Sequence, residues 1–181
     1  SVSLSGDRVM VGAFGDDSDQ GSAYIYERSA SGEWSQLQKL TADDGEAGDE
    51  FGFSVSLAGD RAVVGAYYFD SLRGSAYIYE RNASGNWDQN HKLTTDNATD
   101  DGQFGISVSL SGDRLAVGAR GDDNFKGSAY VYTVGQTDCN GNGILDSCEL
   151  ADGSASDCDG NGILDSCELA DGSVFDCDGN T

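Results

Sequence analysis

Residues 49–66, DEFGFSVSLAGDRAVVGA, indicate the architecture of the chain, because most of this segment occurs again both before and after it. Its part from Ser54, SVSLAGDRAVVGA, has the counterparts SVSLSGDRVMVGA at Ser1 and SVSLSGDRLAVGA at Ser107, which gives a period of 53 residues. Self-similarity at a fixed spacing of this size indicates a repeat architecture, in which each copy is one structural unit.

Other motifs keep the same period. GSAYIYER at Gly21 occurs again at Gly74 and, as GSAYVYT, at Gly127, and Trp34 and Trp87 are also 53 residues apart. The repeat therefore extends beyond the opening motif and includes the whole of each unit.

Within the first unit the apolar residues alternate with polar ones, which is the period of a β-strand. Val2 and Leu4 predict a first strand with one buried face, and Arg8–Ala13 predicts a second, almost wholly apolar strand. Ser22–Arg28 and Trp34–Leu40 predict a third and a fourth strand. The segments between them are rich in Gly, Ser and Asp, as turns are.

Four antiparallel strands in about 50 residues, repeated radially, are typical of a β-propeller blade. We therefore expect an all-β fold of four-stranded antiparallel blades, with about two and a half present: residues 1–53, 54–106 and a partial 107–134. A β-solenoid is the alternative. Because propellers close with four to eight blades, we expect the chain to be part of a longer polypeptide or to complete a ring with other chains.

DEFGFSVSLAGDRAVVGA followed by GSAYIYER resembles the bacterial FG-GAP repeat, whose blade also builds the head of integrin alpha subunits. The resemblance covers residues 1–133 and implies a propeller used for binding or adhesion. The proline of the Gly-Ala-Pro signature is replaced by Phe14, Tyr67 and Arg120, and the D-x-D-x-D-G loop of calcium-binding blades is absent. Asp16, Asp17 and Asp19, or Asp122 and Asp123, could still bind a cation, but the middle copy keeps only Asp70, so we interpret these loops mainly as solvated acidic turns.

Residues 135–181 differ in composition and form a second predicted region, with units at 138–156, 157–175 and a partial 176–181. DCNGNGILDSCEL at Asp138 and DCDGNGILDSCEL at Asp157 match the Ca²⁺ loop D-x-[DN]-x-[DN]-G with a closing Glu. The predicted ligands to Ca²⁺, the one expected cofactor, are Asp138, Asn140, Asn142, Ile144 (carbonyl), Asp146 and Glu149; Asp157, Asp159, Asn161, Ile163 (carbonyl), Asp165 and Glu168; and, in an incomplete third copy, Asp176, Asp178 and Asn180.

The 19-residue spacing of these loops is too short for complete helix–loop–helix hands, and it leaves room for short helical turns only. The tract resembles the half-hands of dockerins and the calcium-loaded type 3 repeats of thrombospondin, as found on secreted bacterial proteins. The resemblance implies an extracellular or cell-surface location.

All five cysteines lie in this tract, which favours disulfides and an oxidising compartment over a zinc site. Two pairings fit. Each loop is stapled internally, as Cys139–Cys148 and Cys158–Cys167, or successive loops are bridged, as Cys148–Cys158 and Cys167–Cys177. The internal scheme is favoured, because it leaves Cys177 for a partner beyond a chain end that lies within a repeat.

The formal net charge of −22 disfavours nucleic acid and anionic membranes as partners. His91 is the only histidine and is predicted to be on the surface, so no nucleophile–base pair is apparent and we expect no enzyme. The sequence favours a calcium-binding extracellular adhesion or binding module with an unknown protein or glycan ligand. Two alternatives stay open: a calcium-stabilised subunit that self-associates into an extracellular fibre, and a fragment of a secreted propeller enzyme.

Overall fold

The computed structural model describes residues 1–95 and 101–134. The predicted calcium ligands and cysteines lie outside the described residues. The chain divides into two compact regions, Ser1–Tyr132 and Thr133–Thr181. The description below concerns the first region. In the described part of the chain, no helix is long and apolar enough to cross a membrane.

Three antiparallel sheets follow one another along the chain, one for each sequence repeat. We call each sheet, together with the Phe-Gly segment that precedes it, a unit, so that unit 1 ends at Asp49, unit 2 begins at Glu50 and unit 3 begins at Gln103. The first two sheets have four strands each, and the third has three strands in the described part. The strands are β1 Val2–Ser5, β2 Arg8–Ala13, β3 Ser22–Arg28, β4 Trp34–Leu40, β5 Ser54–Ala58, β6 Arg61–Ala66, β7 Ser75–Arg81, β8 Trp87–Leu93, β9 Phe104–Ser111, β10 Arg114–Ala119 and β11 Ser128–Thr133.

Each sheet is a meander in which sequential strands are neighbours. β1 pairs with β2 from Val2↔Val11 to Ser5↔Arg8, and β2, β3 and β4 continue the sheet in the same order. The strands of unit 2 pair in the same register, with every residue number higher by 53. The register shift between the third and fourth strands also occurs in both units. The predicted all-β fold of partial propeller blades is confirmed.

The core lies between units rather than within one unit. Met10, Ala23 and Ile25 of unit 1 are fully buried and belong to the same apolar cluster as Val55 and Leu57 of unit 2. A sheet whose two faces are both covered by neighbouring sheets needs apolar residues on both faces. The third strand of each unit meets this need. Its aliphatic residues (Ala and Ile or Val) lie on one face, its two tyrosines lie on the other, and both sets occur in all three repeats.

Glycines allow the units to approach closely. A Cβ on Gly12 would lie 1.9 Å from the carbonyl oxygen of Gly52, and a Cβ on Gly21 would lie 2.0 Å from that of Phe51. Since no side chain fits at these distances, the Phe-Gly pair at the start of unit 2 packs against backbone in unit 1. Phe104-Gly105 packs in the same way onto Gly65 and Gly74 of unit 2.

The prediction that Val2 and Leu4 form a buried face is wrong for unit 1. These side chains are 70% and 66% exposed, whereas Val55 and Leu57 at the same positions of unit 2 are 8% and 5% exposed. The difference arises because unit 1 covers this face of unit 2, and no other unit in the described part of the chain covers the same face of unit 1.

Candidate functional site

One end of the stacked sheets carries the long connections. Because the strands alternate in direction, the loops between second and third strands and those that lead into the next unit lie at the same end. We call this end the loop face; it is formed by residues 14–21, 41–53, 67–74 and 120–127.

The loop after the second strand of each unit contains a single helical turn whose backbone is left-handed. The turns are α1 Asp16–Asp19, α2 Phe69–Leu72 and α3 Asp122–Phe125. Asp17 and Ser18 have φ of 51° and 62°, and the matching residues of the other two turns also have positive φ. Consecutive non-glycine residues in this region cost roughly 1–2 kcal/mol each, so the turn requires compensating contacts.

Two of those contacts come from the next unit. The carbonyl oxygens of Asp19 and Gln20 accept hydrogen bonds from the backbone N–H groups of Glu50 and Phe51, at 2.8 and 3.0 Å. Leu72 and Arg73 of unit 2 accept the equivalent bonds at the start of unit 3, at 2.7 and 3.0 Å. The left-handed turn therefore directs two carbonyl groups at the next Phe-Gly segment and joins successive units.

In unit 1 the first carboxylate of the turn is held by a tyrosine and a lysine. The Tyr24 hydroxyl donates to Asp16 Oδ2 at 2.8 Å, and Lys39 Nζ lies 2.9 Å from Asp16 Oδ2 and 3.1 Å from Asp17 Oδ2. The hydrogen bonds from Lys39 and Tyr24 lower the pKa of Asp16, and those to Asp16 and Asp17 raise the pKa of Lys39. Asp16 therefore stays ionised and fixes the turn to β3 and β4.

Unit 2 makes the same connection with a different carboxylate. Phe69 replaces the aspartate, and Lys92 Nζ lies over its ring, 3.4 Å from the centroid. Asp44, from the connection between β4 and β5, accepts a hydrogen bond from the Tyr77 hydroxyl at 3.0 Å and pairs with Lys92. Burial opposes the ionisation of Asp44, but the bonds from Lys92 and Tyr77 outweigh it and lower the pKa. A residue of unit 1 thus completes the cluster of unit 2.

In unit 3 the Tyr130 hydroxyl donates to Asp122, and this hydrogen bond raises the pKa of Tyr130. Asp122 is buried. The interpretation of the acidic loops as solvated turns is therefore wrong for Asp16 and Asp122, whose carboxylates are structural. Among residues 1–95 and 101–134, no group of three or more His, Cys, Asp and Glu is placed to hold a metal ion.

Four aromatic rings lie in contact on the loop face, at the junction of units 1 and 2. The centroid of Phe14 is 5.5 Å from that of Phe53, which is 4.4 Å from Tyr67, which in turn is 5.3 Å from Tyr68. Phe14 and Tyr68, at the two ends, are exposed. We call Phe14, Phe53, Tyr67 and Tyr68 the aromatic row.

Charges of both signs lie beside the aromatic row, with Glu50 and Arg120 near Tyr67. Burial raises the pKa of Tyr67, as does the nearby carboxylate of Glu50, while the positive charge of Arg120 acts in the opposite direction. Exposed aromatic clusters of this kind mark interaction sites on soluble proteins. The sequence held a signal for this site, because Phe14, Tyr67 and Arg120 occupy the proline position of the repeat signature.

The single histidine, His91, does not belong to the aromatic row. His91 lies on β8, opposite Ile78 of β7, and its side chain is exposed. The prediction of a surface histidine is confirmed.

The repeated antiparallel sheets, the Phe-Gly segments packed onto paired glycines and the shared loop face define a module of β-propeller blades. The model of the FG-GAP repeat matches residues 1–26, 34–79 and 87–132, which is more than half of the chain. The chain belongs to the FG-GAP repeat family. A search of curated proteins finds no match.

Proposed function

We propose that this protein is a non-enzymatic, extracellular calcium-binding module that binds a protein partner through the aromatic row on its loop face. The observation that carries the proposal is the continuous contact of the four rings at the junction of units 1 and 2, with both ends of the row exposed. Aromatic side chains supply a large contact area with little loss of conformational entropy and are enriched at binding hot spots.

The partner we propose presents basic side chains. A chain with a net charge of −22 attracts cationic surfaces, and lysine or arginine groups stack on aromatic rings. The chain itself contains this geometry, since Lys92 Nζ lies over the ring of Phe69. Within the proposal, Phe14 and Tyr68 contact the partner and neighbouring carboxylates such as Glu50 orient it.

The calcium-binding part of the proposal rests on the sequence of residues 138–180. Two complete loops of oxygen ligands, with cysteines at fixed loop positions, support calcium binding and an oxidising, extracellular location. We propose that calcium and disulfides stabilise this tract, because loops of Asp, Asn and Gly have little apolar surface to bury.

Peptide binding tests the proposed site. An oligo-arginine peptide and an oligo-glutamate peptide of equal length are titrated against the whole chain at physiological salt. We expect only the arginine peptide to bind, and the double substitution F14A/Y68A to lower its affinity about tenfold, at roughly 0.5–1 kcal/mol for each ring.

The matched control is Phe125→Ala, which removes an exposed ring of the loop face outside the aromatic row. Unchanged affinity in this variant supports the site. Equal losses in F125A and F14A/Y68A indicate charge attraction without a site and contradict the proposal, as does a failure of the arginine peptide to bind.

A further inference from the structure

The hairpin turn between β7 and β8 contains the sequence Asn82-Ala83-Ser84. An asparagine followed two positions later by serine or threonine, with no proline between them, is the acceptor sequence for N-linked glycosylation of exported proteins. All three residues of this acceptor sequence are exposed. The asparagine is therefore at the surface, where an enzyme that transfers an oligosaccharide can reach it.

The turn holds the asparagine side chain against its own backbone. Asn82 Oδ1 accepts hydrogen bonds from the backbone N–H groups of Ser84 and Asn86, at 2.9 and 3.0 Å. The first of these bonds closes an Asx-turn, in which an asparagine side chain binds the backbone two residues further on. The two residues that define the acceptor sequence are thus brought together in the folded chain.

The amide nitrogen of the same side chain is directed to the surface. Asn82 Nδ2 carries two hydrogens and donates one of them to Asp88 Oδ2 at 2.7 Å. Asp88 is exposed, so water can replace the amide as its hydrogen-bond donor. A sugar attached to Nδ2 would break this one exposed hydrogen bond and none of the bonds that the backbone of the turn makes.

Unit 1 shows that the fold does not require asparagine in this turn. Its counterpart, Ser29-Ala30-Ser31, is not an acceptor sequence. The turn nevertheless has the same backbone hydrogen bonds: the Ser29 N–H donates to the Glu33 carbonyl oxygen and the Gly32 N–H donates to the Ser29 carbonyl oxygen, at 2.8 and 2.9 Å. The acceptor sequence of unit 2 is therefore an addition to a turn that forms without it.

The turn lies at the end of the sheets opposite the loop face, because strands that alternate in direction place successive connections at opposite ends. A glycan at this end would leave the aromatic row accessible. The turn also leads into β8, an edge strand of its sheet. A bulky, hydrated group beside an edge strand hinders its pairing with strands of other chains.

We propose that Asn82 is a site of N-linked glycosylation, with a lipid-pyrophosphate-linked oligosaccharide as the donor. Asn82 Nδ2 forms a bond to the anomeric carbon of the first sugar, and the bond from this carbon to the pyrophosphate oxygen breaks. The lipid pyrophosphate leaves with the bonding electron pair, and the amide nitrogen loses one proton to solvent. No oxidant or reductant takes part. In the cell the reaction rests on the proposed function in one respect, since only an exported chain meets the donor.

Glycosylation of the purified whole chain in vitro tests the site without any dependence on export. The chain is incubated with a purified single-subunit oligosaccharyltransferase and its lipid-linked oligosaccharide, digested with trypsin and analysed by mass spectrometry. Trypsin cleaves after Arg81 and Lys92, which separates Asn82 from Asn97, the start of a second N-x-Thr sequence that lies outside the described residues. We expect one oligosaccharide on the peptide that contains Asn82.

Substitutions within the turn separate recognition from folding. Ser84→Ala removes an exposed hydroxyl and keeps the N–H that binds Asn82 Oδ1, so this variant should fold like the wild type and lose the modification. Ser84→Thr should retain it. Asn86→Gln is the matched control, because it changes an exposed asparagine of the same turn that does not begin an acceptor sequence, and it should be modified like the wild type.

Unit 1 offers a gain of modification. Ser29→Asn gives its turn the acceptor sequence of unit 2 in a backbone with the same hydrogen bonds. The tryptic peptide that follows Arg28 should then carry a second oligosaccharide. The wild-type chain should carry none on this peptide.

A synthetic peptide with the sequence of residues 79–86 is the acceptor control. Modification of this peptide, without modification of Asn82 in the folded chain, would show that the turn excludes the enzyme and would overturn the inference. An oligosaccharide that persists on the Asn82 peptide of S84A would also overturn it. Neither result affects the aromatic row, and a failure of the arginine peptide to bind leaves the glycosylation result unchanged.

Discussion

The side chain of Gln38 on β4 holds the backbone of Trp87 on β8 through two hydrogen bonds. Gln38 Nε2 donates to the Trp87 carbonyl oxygen and the Trp87 N–H donates to Gln38 Oε1, both at 2.8 Å. β8 is an edge strand of its sheet. The side-chain amide of Gln38 therefore satisfies backbone groups of Trp87 that would otherwise be free to pair with another strand.

Gln38→Ala should therefore lower the free energy of unfolding by about 1–3 kcal/mol, because it leaves a partly buried donor and acceptor without partners. Chemical denaturation measures the loss. Gln36→Ala, an exposed position on the same strand, is the control and should change the free energy by no more than about 0.5 kcal/mol. Equal effects of the two substitutions would contradict the role of Gln38.

Gly65→Ala should be among the most damaging small substitutions in the chain. Its Cβ would lie 2.0 Å from the carbonyl oxygen of Gly105, a backbone atom that cannot move without separating units 2 and 3. We expect a loss of about 3 kcal/mol or more in thermal or chemical unfolding. Gly15→Ala is the control, since its nearest neighbour is a side-chain atom at 3.6 Å. A mild effect of G65A would show that the units do not pack as described.

Acid should weaken the Asp16 cluster. Hydrogen bonds from Lys39 and Tyr24 lower the pKa of Asp16 in the folded state below its ordinary value of 3.8. A carboxyl group with a lowered folded-state pKa stabilises the fold above the unfolded-state pKa, and this contribution is lost as the pH falls towards the folded-state value. The difference in stability between wild type and Asp16→Asn should therefore be constant above about pH 5 and shrink towards pH 2.

The control for this pH dependence is Gln36→Ala, which removes an exposed side chain of β4 that does not ionise. Its difference from the wild type should change less over the same range. A D16N difference that grows on acidification would contradict the assignment of Asp16 as an ionised, stabilising group.

The two complete calcium loops should differ in affinity. The first has three carboxylates among its predicted ligands and the second has four, because Asn140 of the first corresponds to Asp159 of the second. Affinity rises with ligand charge, so Asn140→Asp should bring the weaker site close to the stronger one in calorimetry. The converse change, Asp159→Asn, should weaken the stronger site. Two sites of equal affinity in the unmodified chain would contradict this reasoning.

Local sequence patterns predicted the strands well because alternation and turn residues act within a few positions. They did not predict the burial of repeated residues. Trp34 and Trp87 occupy the same position, yet Trp34 is half-exposed and Trp87 is buried at the junction of two units. The side that a neighbouring unit covers depends on the order of units, and no residue within one repeat encodes that order.

The loop clusters show a second limit of the sequence. Phe69 replaces the aspartate of the other units, and Asp44, 25 residues earlier in the chain, takes its place beside Tyr77 and Lys92. The carboxylate of this cluster comes from a different loop, and only the tertiary structure brings that loop close to Tyr77 and Lys92. The left-handed turns could not be predicted either, because their carbonyl groups accept hydrogen bonds from the following unit in addition to those inside their own loop.

Calcium titration of the whole chain by isothermal calorimetry tests the proposed calcium-binding module most directly. We expect two bound calcium ions per chain under oxidising conditions, and the loss of both in the double variant E149Q/E168Q, with the FG-GAP units still folded. The absence of binding heat in the unmodified chain, or equal binding by E149Q/E168Q, would contradict it.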